Sequence, residues 1–92
     1  MFYLVCFDIV DDRIRYRVVK VLLGYGRRVQ KSVFECRQLT EKQFLQMKHR
    51  IDDLIDQQED SVRFYFLCKG CLHKVEWIGY DDTLFKLAYE VV

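Results

Sequence analysis

The sequence predicts a single α+β domain in which short strands alternate with two helices. Short apolar runs rich in aromatic and β-branched residues indicate the strands, and two segments with apolar residues at helical spacing indicate the helices. Proline is absent, so the element boundaries depend on glycines and on paired aspartates. No linker or low-complexity segment divides the chain, and we take residues 1–92 as one domain.

The first strand and the first helix have the clearest patterns. Phe2–Phe7 is a continuous apolar run, typical of a buried central strand, and Asp8 ends it. Asp11 or Asp12 can cap the helix that follows. The apolar face of this helix consists of Ile14, Val18, Val21, Leu22 and Tyr25, and the opposite face carries Arg13, Arg17 and Lys20. We expect a glycine within Gly24–Gly26 to adopt the left-handed conformation that ends the helix.

The middle of the chain predicts strand structure interrupted by a bend. Arg27–Arg37 alternates like a strand, but Val33 and Phe34 are adjacent and apolar, so they must point to opposite faces. A bend or bulge near Gln30–Ser32, or burial on both sides of the sheet, would reconcile this pattern.

A second helix and two further strands are predicted in the remainder. Thr40 and Gln43 form a capping box at the start of a helix that extends to Asp56. The apolar residues at helical spacing in it are Phe44, Met47, Ile51, Leu54 and Ile55. Val62–Leu67 is an aromatic strand, and Lys74–Ile78 is a shorter one.

The element order predicts a ferredoxin-like βαββαβ fold with an extra short C-terminal strand. Such a fold is an antiparallel sheet with both helices on one face, which leaves the other face uncovered. Because 51% of the residues are apolar, we expect a homodimer that packs sheet to sheet. Residues 80–92 are a candidate dimer- or partner-binding tail, in which Leu84–Val92 is either a further strand added to the other protomer or a segment that binds another protein.

Positive charge is concentrated in one part of the chain, although the net charge is only +1. Between Arg13 and Lys31 there are seven basic side chains and no acidic one, whereas from Glu35 onward eight basic side chains meet eleven acidic ones. A confined positive field is typical of a site for a polyanion. The alternative is a solvated helix face.

Asp8 is the strongest candidate for a metal ligand. A carboxylate at the end of a buried strand needs a cation, a hydrogen bond or a metal to offset its desolvation. Two copies of Asp8 facing each other across a two-fold axis would supply two hard oxygen ligands for magnesium, with manganese as the alternative. Such an ion could activate water to attack a phosphodiester. The alternative is a capping or salt-bridged aspartate.

The other polar candidates have simpler explanations. Negative charge in a first helical turn is stabilising, which is sufficient to account for Asp11 and Asp12. Cys68–Cys71, followed by His73, lacks the further ligands of a zinc site. It also joins two predicted strands, whereas a thioredoxin-type motif opens a helix. We therefore predict a turn with incidental thiols.

Several classes of protein are disfavoured. No Ser/His/Asp set or glycine-rich phosphate loop is present, which disfavours nucleophilic catalysis and nucleotide hydrolysis. We expect Cys6 to be a core residue and His49 to lie on the polar face of the second helix. No segment reaches the roughly eighteen apolar residues of a membrane helix, and the N-terminus lacks a signal-peptide pattern. We therefore expect a cytoplasmic protein without a membrane partner. Four cysteines could pair in three ways, but in the cytoplasm we expect all four to be reduced thiols.

Five segments, spread over nearly the whole chain, resemble the CRISPR-associated protein 2 family. Phe7–Ile9, Asp11–Val18 and Tyr25–Glu35 are similar to its N-terminal half, and the last of these is the most specific. Arg63–Cys68 and Val75–Gly79 resemble its fourth strand and its short final strand. The resemblance implies a homodimeric ferredoxin-like protein of prokaryotic adaptive immunity.

The resemblance also implies the site and the partners. The metal-binding aspartate of the family corresponds to Asp8, and its basic and aromatic positions near the site correspond to Arg15, Arg17, Arg28 and Phe34. With the charge pattern, the candidate nucleic-acid contacts are Arg13, Arg15, Arg17, Arg27, Arg28 and Lys31, supported by Phe7, Ser32 and Phe34. The family often has tyrosine in place of Phe7, so this chain lacks a hydroxyl that could bond phosphate or water.

Two functions remain open, and a third is disfavoured. One is a magnesium-dependent endonuclease for single-stranded RNA or double-stranded DNA that takes part in spacer acquisition with the CRISPR integrase. The other is a non-catalytic scaffold that bridges integrase dimers and binds the backbone of duplex DNA. A small-molecule-sensing dimer would fit the fold but not the basic segment.

Overall fold

The computed structural model describes residues 1–74, Glu76 and Ile78. Its elements in chain order are β1 (Phe2–Asp8), α1 (Asp12–Leu23), β2 (Arg27–Gln30), β3 (Val33–Cys36), α2 (Glu41–Leu54), β4 (Ser61–Leu67) and α3 (Lys69–Leu72). The predicted strand at Lys74–Ile78, which includes Val75 and Trp77, and the predicted tail at 80–92 extend outside the described residues. No helix in the described part is long and apolar enough to cross a membrane.

The four strands form one antiparallel sheet in the order β2-β3-β1-β4. β1 lies inside the sheet and pairs with β3 on one side and β4 on the other. Each helix therefore connects strands that have another strand between them, since β3 separates β1 from β2 and β1 separates β3 from β4. This arrangement confirms the predicted α+β, ferredoxin-like fold.

The core lies between the helices and one face of the sheet. Because side chains alternate along a strand, the odd-numbered residues of β1 point toward the helices. The core consists of Tyr3, Val5, Phe7, Ile9, Val18, Val21, Leu22, Phe34, Cys36, Leu39, Met47 and Ile51. On the opposite face, which we call the open face, Leu4 and Cys6 are half-buried and Asp8 is exposed.

Helix α1 begins as predicted but ends differently. The Asp11 carboxylate accepts hydrogen bonds from the amides of Ile14 and Arg13, at 3.1 and 2.8 Å, and these bonds hold the pKa of Asp11 below its usual value. At the other end Gly24 has φ −77° and Gly26 is not left-handed either, so the expected left-handed cap is wrong. The helix tightens instead, and the Gly24 amide bonds to the carbonyl of Val21 at 3.0 Å.

The capping box of α2 and the bend between two strands are confirmed. The Thr40 hydroxyl accepts from the Gln43 amide at 3.1 Å, and the Gln43 side chain accepts from the Thr40 amide at 2.9 Å. The alternating segment separates into β2 and β3, and their register shifts between Arg28 and Gln30 as a bulge requires. Val33 and Phe34 are consecutive residues of β3 and therefore lie on opposite faces of the sheet, opposite Cys6 and Val5 of β1.

The prediction that Cys68–Cys71 forms a turn is wrong. Cys68 is the N-cap of α3, which follows β4 directly. Leu72 of this short helix is 7% exposed and packs with Phe2 and Leu67. Burial of Leu72 explains why a helix forms here, because one helical turn brings this apolar side chain back onto the sheet.

We predict that Gly26→Ala destabilises the fold by about 1–3 kcal/mol, because the added methyl group has no space. A Cβ at Gly26 would overlap the carbonyl oxygen of Glu35 and lie 2.6 Å from Cys36 Sγ. Urea denaturation measures the change. Gly70→Ala is the control, because a Cβ there would meet only Cys68 Sγ at 3.8 Å. Equal stability of the two variants would contradict the prediction.

Candidate functional site

Asp8 lies where three parts of the fold meet. It is the last residue of β1, is exposed and stands opposite Ser61, the first residue of β4. The turn between β2 and β3 reaches the same end of the sheet, since the Phe7 amide donates to the carbonyl of Ser32 at 3.1 Å. The Asp8 side chain is on the open face, as are Cys6 and Leu4.

The loop that follows Asp8 is fixed by Asp60. One carboxylate oxygen of Asp60 accepts from the Val10 amide at 3.0 Å, and the other accepts from the Asp56 amide at 2.9 Å. The carboxylate thus joins the loop after β1 to the loop before β4. Because both of its oxygens accept backbone donors, Asp60 acts as a structural link beside Asp8.

Arg15 fixes the same loop from the helix side. Its Nε and Nη2 donate to the carbonyl of Ile9 at 3.2 and 2.9 Å, and its Nη1 forms an ion pair with Asp12 Oδ1 at 2.7 Å. The Arg15 side chain is 30% exposed. A residue expected to contact nucleic acid therefore uses its guanidinium to hold the backbone that follows Asp8.

Arg28 has a similar role in the turn between β2 and β3. Its Nε and Nη2 donate to the carbonyl of Lys31 at 3.1 and 2.6 Å, and its guanidinium lies 6.0 Å from the ring centroid of Phe34. Phe34 is fully buried, and its ring centroid lies 6.2 Å from that of Phe7, which is 6% exposed. The two aromatic residues thus belong to the core, and Phe7 points away from the face that carries Asp8.

The rest of the basic segment is divided between surfaces. Arg13 and Arg17 are exposed on α1, and Lys31 is exposed in the turn. Arg27 stands opposite Glu35, which stands opposite Leu4. With about 3.3 Å per residue and about 4.8 Å between strands, the backbone of Arg27 lies about 16 Å from that of Asp8. The sequence run therefore does not form one continuous patch around the aspartate.

The structure adds Arg63, which the sequence reasoning missed, to the surroundings of Asp8. Arg63 stands opposite Cys6 on β4, so it shares the open face with Asp8. Diagonal neighbours of this kind lie about 7–8 Å apart at their backbones, within reach of an arginine side chain. Burial raises the pKa of the Cys6 thiol and the charge of Arg63 opposes that effect. The alternation of side chains along β4 could have indicated which face Arg63 occupies. Only the strand register shows that this face is the one that carries Asp8.

The described residues of one chain do not make up a complete magnesium site. Among the described residues, no three side chains of His, Cys, Asp or Glu lie together as such a site would need. Asp8 offers one carboxylate, and Asp60 already accepts two backbone hydrogen bonds. The donor set fits a hard divalent cation only if a second copy supplies another carboxylate.

The sequence is similar to proteins of known family. A family model described as CRISPR associated protein Cas2 matches residues 1–75. CRISPR-associated endoribonuclease Cas2 1 of Chloroflexus aurantiacus is 42% identical over 80 residues, which span 86% of this chain and 85% of that protein. CRISPR-associated endoribonuclease Cas2 of Thermus thermophilus is 36% identical over 81 residues, which span 88% and 85%.

Solved structures agree with these sequence matches. Cas2 of Streptococcus pyogenes has a TM-score of 0.75 and 39% identity, and the match covers 86% of this chain and 100% of that chain. A chain of a partial Cas6-RT-Cas1–Cas2 complex has a TM-score of 0.73 and 36% identity, and the match covers 84% of this chain and 83% of that chain. The likeness extends over most of both chains, in sequence as well as in fold.

We predict that Asp60→Ala loosens the loop after Asp8 and lowers the free energy of unfolding by about 1 kcal/mol, because two amides lose their acceptor. Amide hydrogen exchange should accelerate several-fold at Val10 and Asp56. Glu59→Ala is the matched control, since it removes the same charge from the neighbouring exposed position. Unchanged exchange at both amides in Asp60→Ala would refute the assigned role.

Proposed function

This chain belongs to the Cas2 family of CRISPR-associated proteins, and from that premise we propose that it is a homodimeric, metal-dependent endonuclease of CRISPR adaptation. The names of the relatives support nuclease activity, and the Cas1–Cas2 complex among the similar structures supports an integrase subunit as partner. Single-stranded RNA or double-stranded DNA is the substrate. We place the protein in the cytoplasm, where both nucleic acids are available.

The position of Asp8 carries the enzyme proposal. It is exposed at the end of β1, on the open face. Two copies that pack open face to open face would bring two such carboxylates toward one axis and would also cover Leu4 and Tyr65, which is 44% exposed. Asp8 of each copy would then hold Mg²⁺, or Mn²⁺ as an alternative, with waters and a phosphate oxygen completing the shell.

The chain's own residues would position the phosphodiester. When bound, the divalent ion would supply charge stabilisation and a water of lowered pKa. Arg63 lies on the same face as Asp8 and can pair with a phosphate oxygen through its planar guanidinium. Asp60 and Arg15 keep the loop behind Asp8 rigid, so that the carboxylate does not have to reorganise when substrate binds.

We predict that Asp8→Asn reduces cleavage of RNA or duplex DNA by about 100-fold or more, because an amide is a poor ligand for a hard cation. The variant should remain a folded dimer by light scattering and circular dichroism. Cleavage is measured with Mg²⁺, with Mn²⁺ and with chelator. Asp52→Asn, at an exposed position of α2, is the matched control. Undiminished cleavage by Asp8→Asn would exclude the enzymatic role of the aspartate.

A scaffold that grips duplex DNA beside an integrase is the second candidate. The observation that favours it is the exposure of Arg13 and Arg17 on α1, apart from the arginines that hold loops. Phosphate contacts of exposed arginines position a protein on DNA without reading sequence. In this role the exposed arginines are needed and Asp8 is dispensable.

We predict that the double variant Arg13→Glu/Arg17→Glu weakens duplex DNA binding at least about tenfold and reduces the slope of log affinity against log salt by about 2, because two phosphate contacts are lost. Titrations at several salt concentrations measure both quantities. Lys48→Glu/Arg50→Glu on α2 changes the net charge equally and serves as the control. Equal losses in the two double variants would mean that net charge alone governs binding. Arg28 is avoided because it holds the turn at Lys31.

A further inference from the structure

The pair Cys68 and Cys71 has a geometry that neither proposed function uses. Their sulfur atoms lie 3.3 Å apart, and the amide of Cys71 donates to Cys68 Sγ at 3.4 Å. Both side chains are exposed. The residues are three apart in sequence, at the cap and within the first turn of α3, so their side chains lie on the same side of it.

We propose that Cys68 and Cys71 form a reversible intramolecular disulfide by exchange with a small-molecule disulfide. The thiolate of Cys68 attacks one sulfur of the small disulfide, forms a mixed disulfide and displaces one thiolate. The thiolate of Cys71 then attacks Cys68 Sγ and displaces the second thiolate. In total the chain loses two electrons and two protons, and one small disulfide becomes two thiols.

The two cysteines differ in a way that assigns the order of these steps. The backbone amide of Cys71 donates to Cys68 Sγ, the two thiols share a further hydrogen bond, and these bonds hold the pKa of Cys68 below its usual value. Since the thiolate is the nucleophile, Cys68 is the residue that attacks first. Lys69 and Lys74 adjoin the pair in the sequence, and their positive charge favours an anionic disulfide such as oxidised glutathione.

The other two cysteines are chemically unsuited to the exchange. Cys36 is fully buried, and burial raises the pKa of its thiol to about 11. Burial also raises the pKa of Cys6. Oxidation should therefore be confined to the exposed pair. Because Leu67 stands opposite Phe2 at the start of β1, the pair lies about 20 Å from Asp8, at the other end of the sheet.

Peptide mapping of the full chain tests the proposal. The reduced protein is equilibrated without oxygen in buffers of reduced and oxidised glutathione, quenched in acid and alkylated in denaturant. It is then digested with a protease that does not cleave at Lys69, which lies between the two cysteines. We expect the peptide that contains both cysteines to carry two alkyl groups after equilibration in reducing buffer. After equilibration in oxidising buffer it should carry none, weigh two hydrogens less than the free dithiol, and come from chains that are not cross-linked. Cys6 and Cys36 should be alkylated throughout.

Three variants complete the experiment, and each can be checked for folding by circular dichroism. Cys6→Ser should oxidise as the wild type does, whereas Cys71→Ser should stop at the mixed disulfide on Cys68. Cys68→Ser should form no intramolecular bridge and should form a mixed disulfide more slowly than Cys71→Ser does, because it lacks the thiol that attacks first. The proposal is overturned if both thiols remain free in the most oxidising buffer, if each carries its own glutathione, or if the bridge joins two chains. None of these outcomes depends on nuclease activity or DNA binding.

Discussion

The pairing of β1 on both of its edges is the constraint on which the rest of the structure depends. Because β1 lies between β3 and β4, one face of it must fill the core beneath the helices and the other must form the open face. A slip of one residue would exchange the two faces, putting Asp8 toward the helices and Phe7 toward solvent. The buried rings of Phe7 and Phe34 therefore fix the register that exposes Asp8.

The fold was predictable from the sequence because its signals are local. The apolar run of β1, the capping box at Thr40 and the helical spacing of the two core-facing stripes each depend on residues that are close in sequence. The end of α1 and the Cys68–Cys71 segment were not predictable in the same way. Gly26 is needed because the chain approaches Glu35 closely, and α3 forms because Leu72 reaches Phe2. Both contacts join residues that are not neighbours in the sequence, so local patterns do not predict them.

The candidate site was predictable only in part. Asp8 could be found because a carboxylate ending a buried strand is unusual in itself. The arginines could not be sorted, because a run of basic residues does not reveal which guanidinium groups bond to the protein's own carbonyls. Arg15 and Arg28 do so at Ile9 and Lys31, whereas Arg63, outside the run, joins Asp8 through strand register alone.

The arginines that hold loops also relate the two proposed functions to each other. An arginine that donates to a backbone carbonyl has fewer donors left for phosphate, but it keeps its charge and so still contributes to the field felt by a polyanion. Arg15 and Arg28 can therefore support attraction of nucleic acid while fixing the loop and the turn next to Asp8. Exposed residues such as Arg13 and Arg17 remain for direct contacts. A rigid frame around one carboxylate, with arginines on the neighbouring helix, turn and strand, serves a nuclease and a scaffold equally well, and only the need for Asp8 separates them.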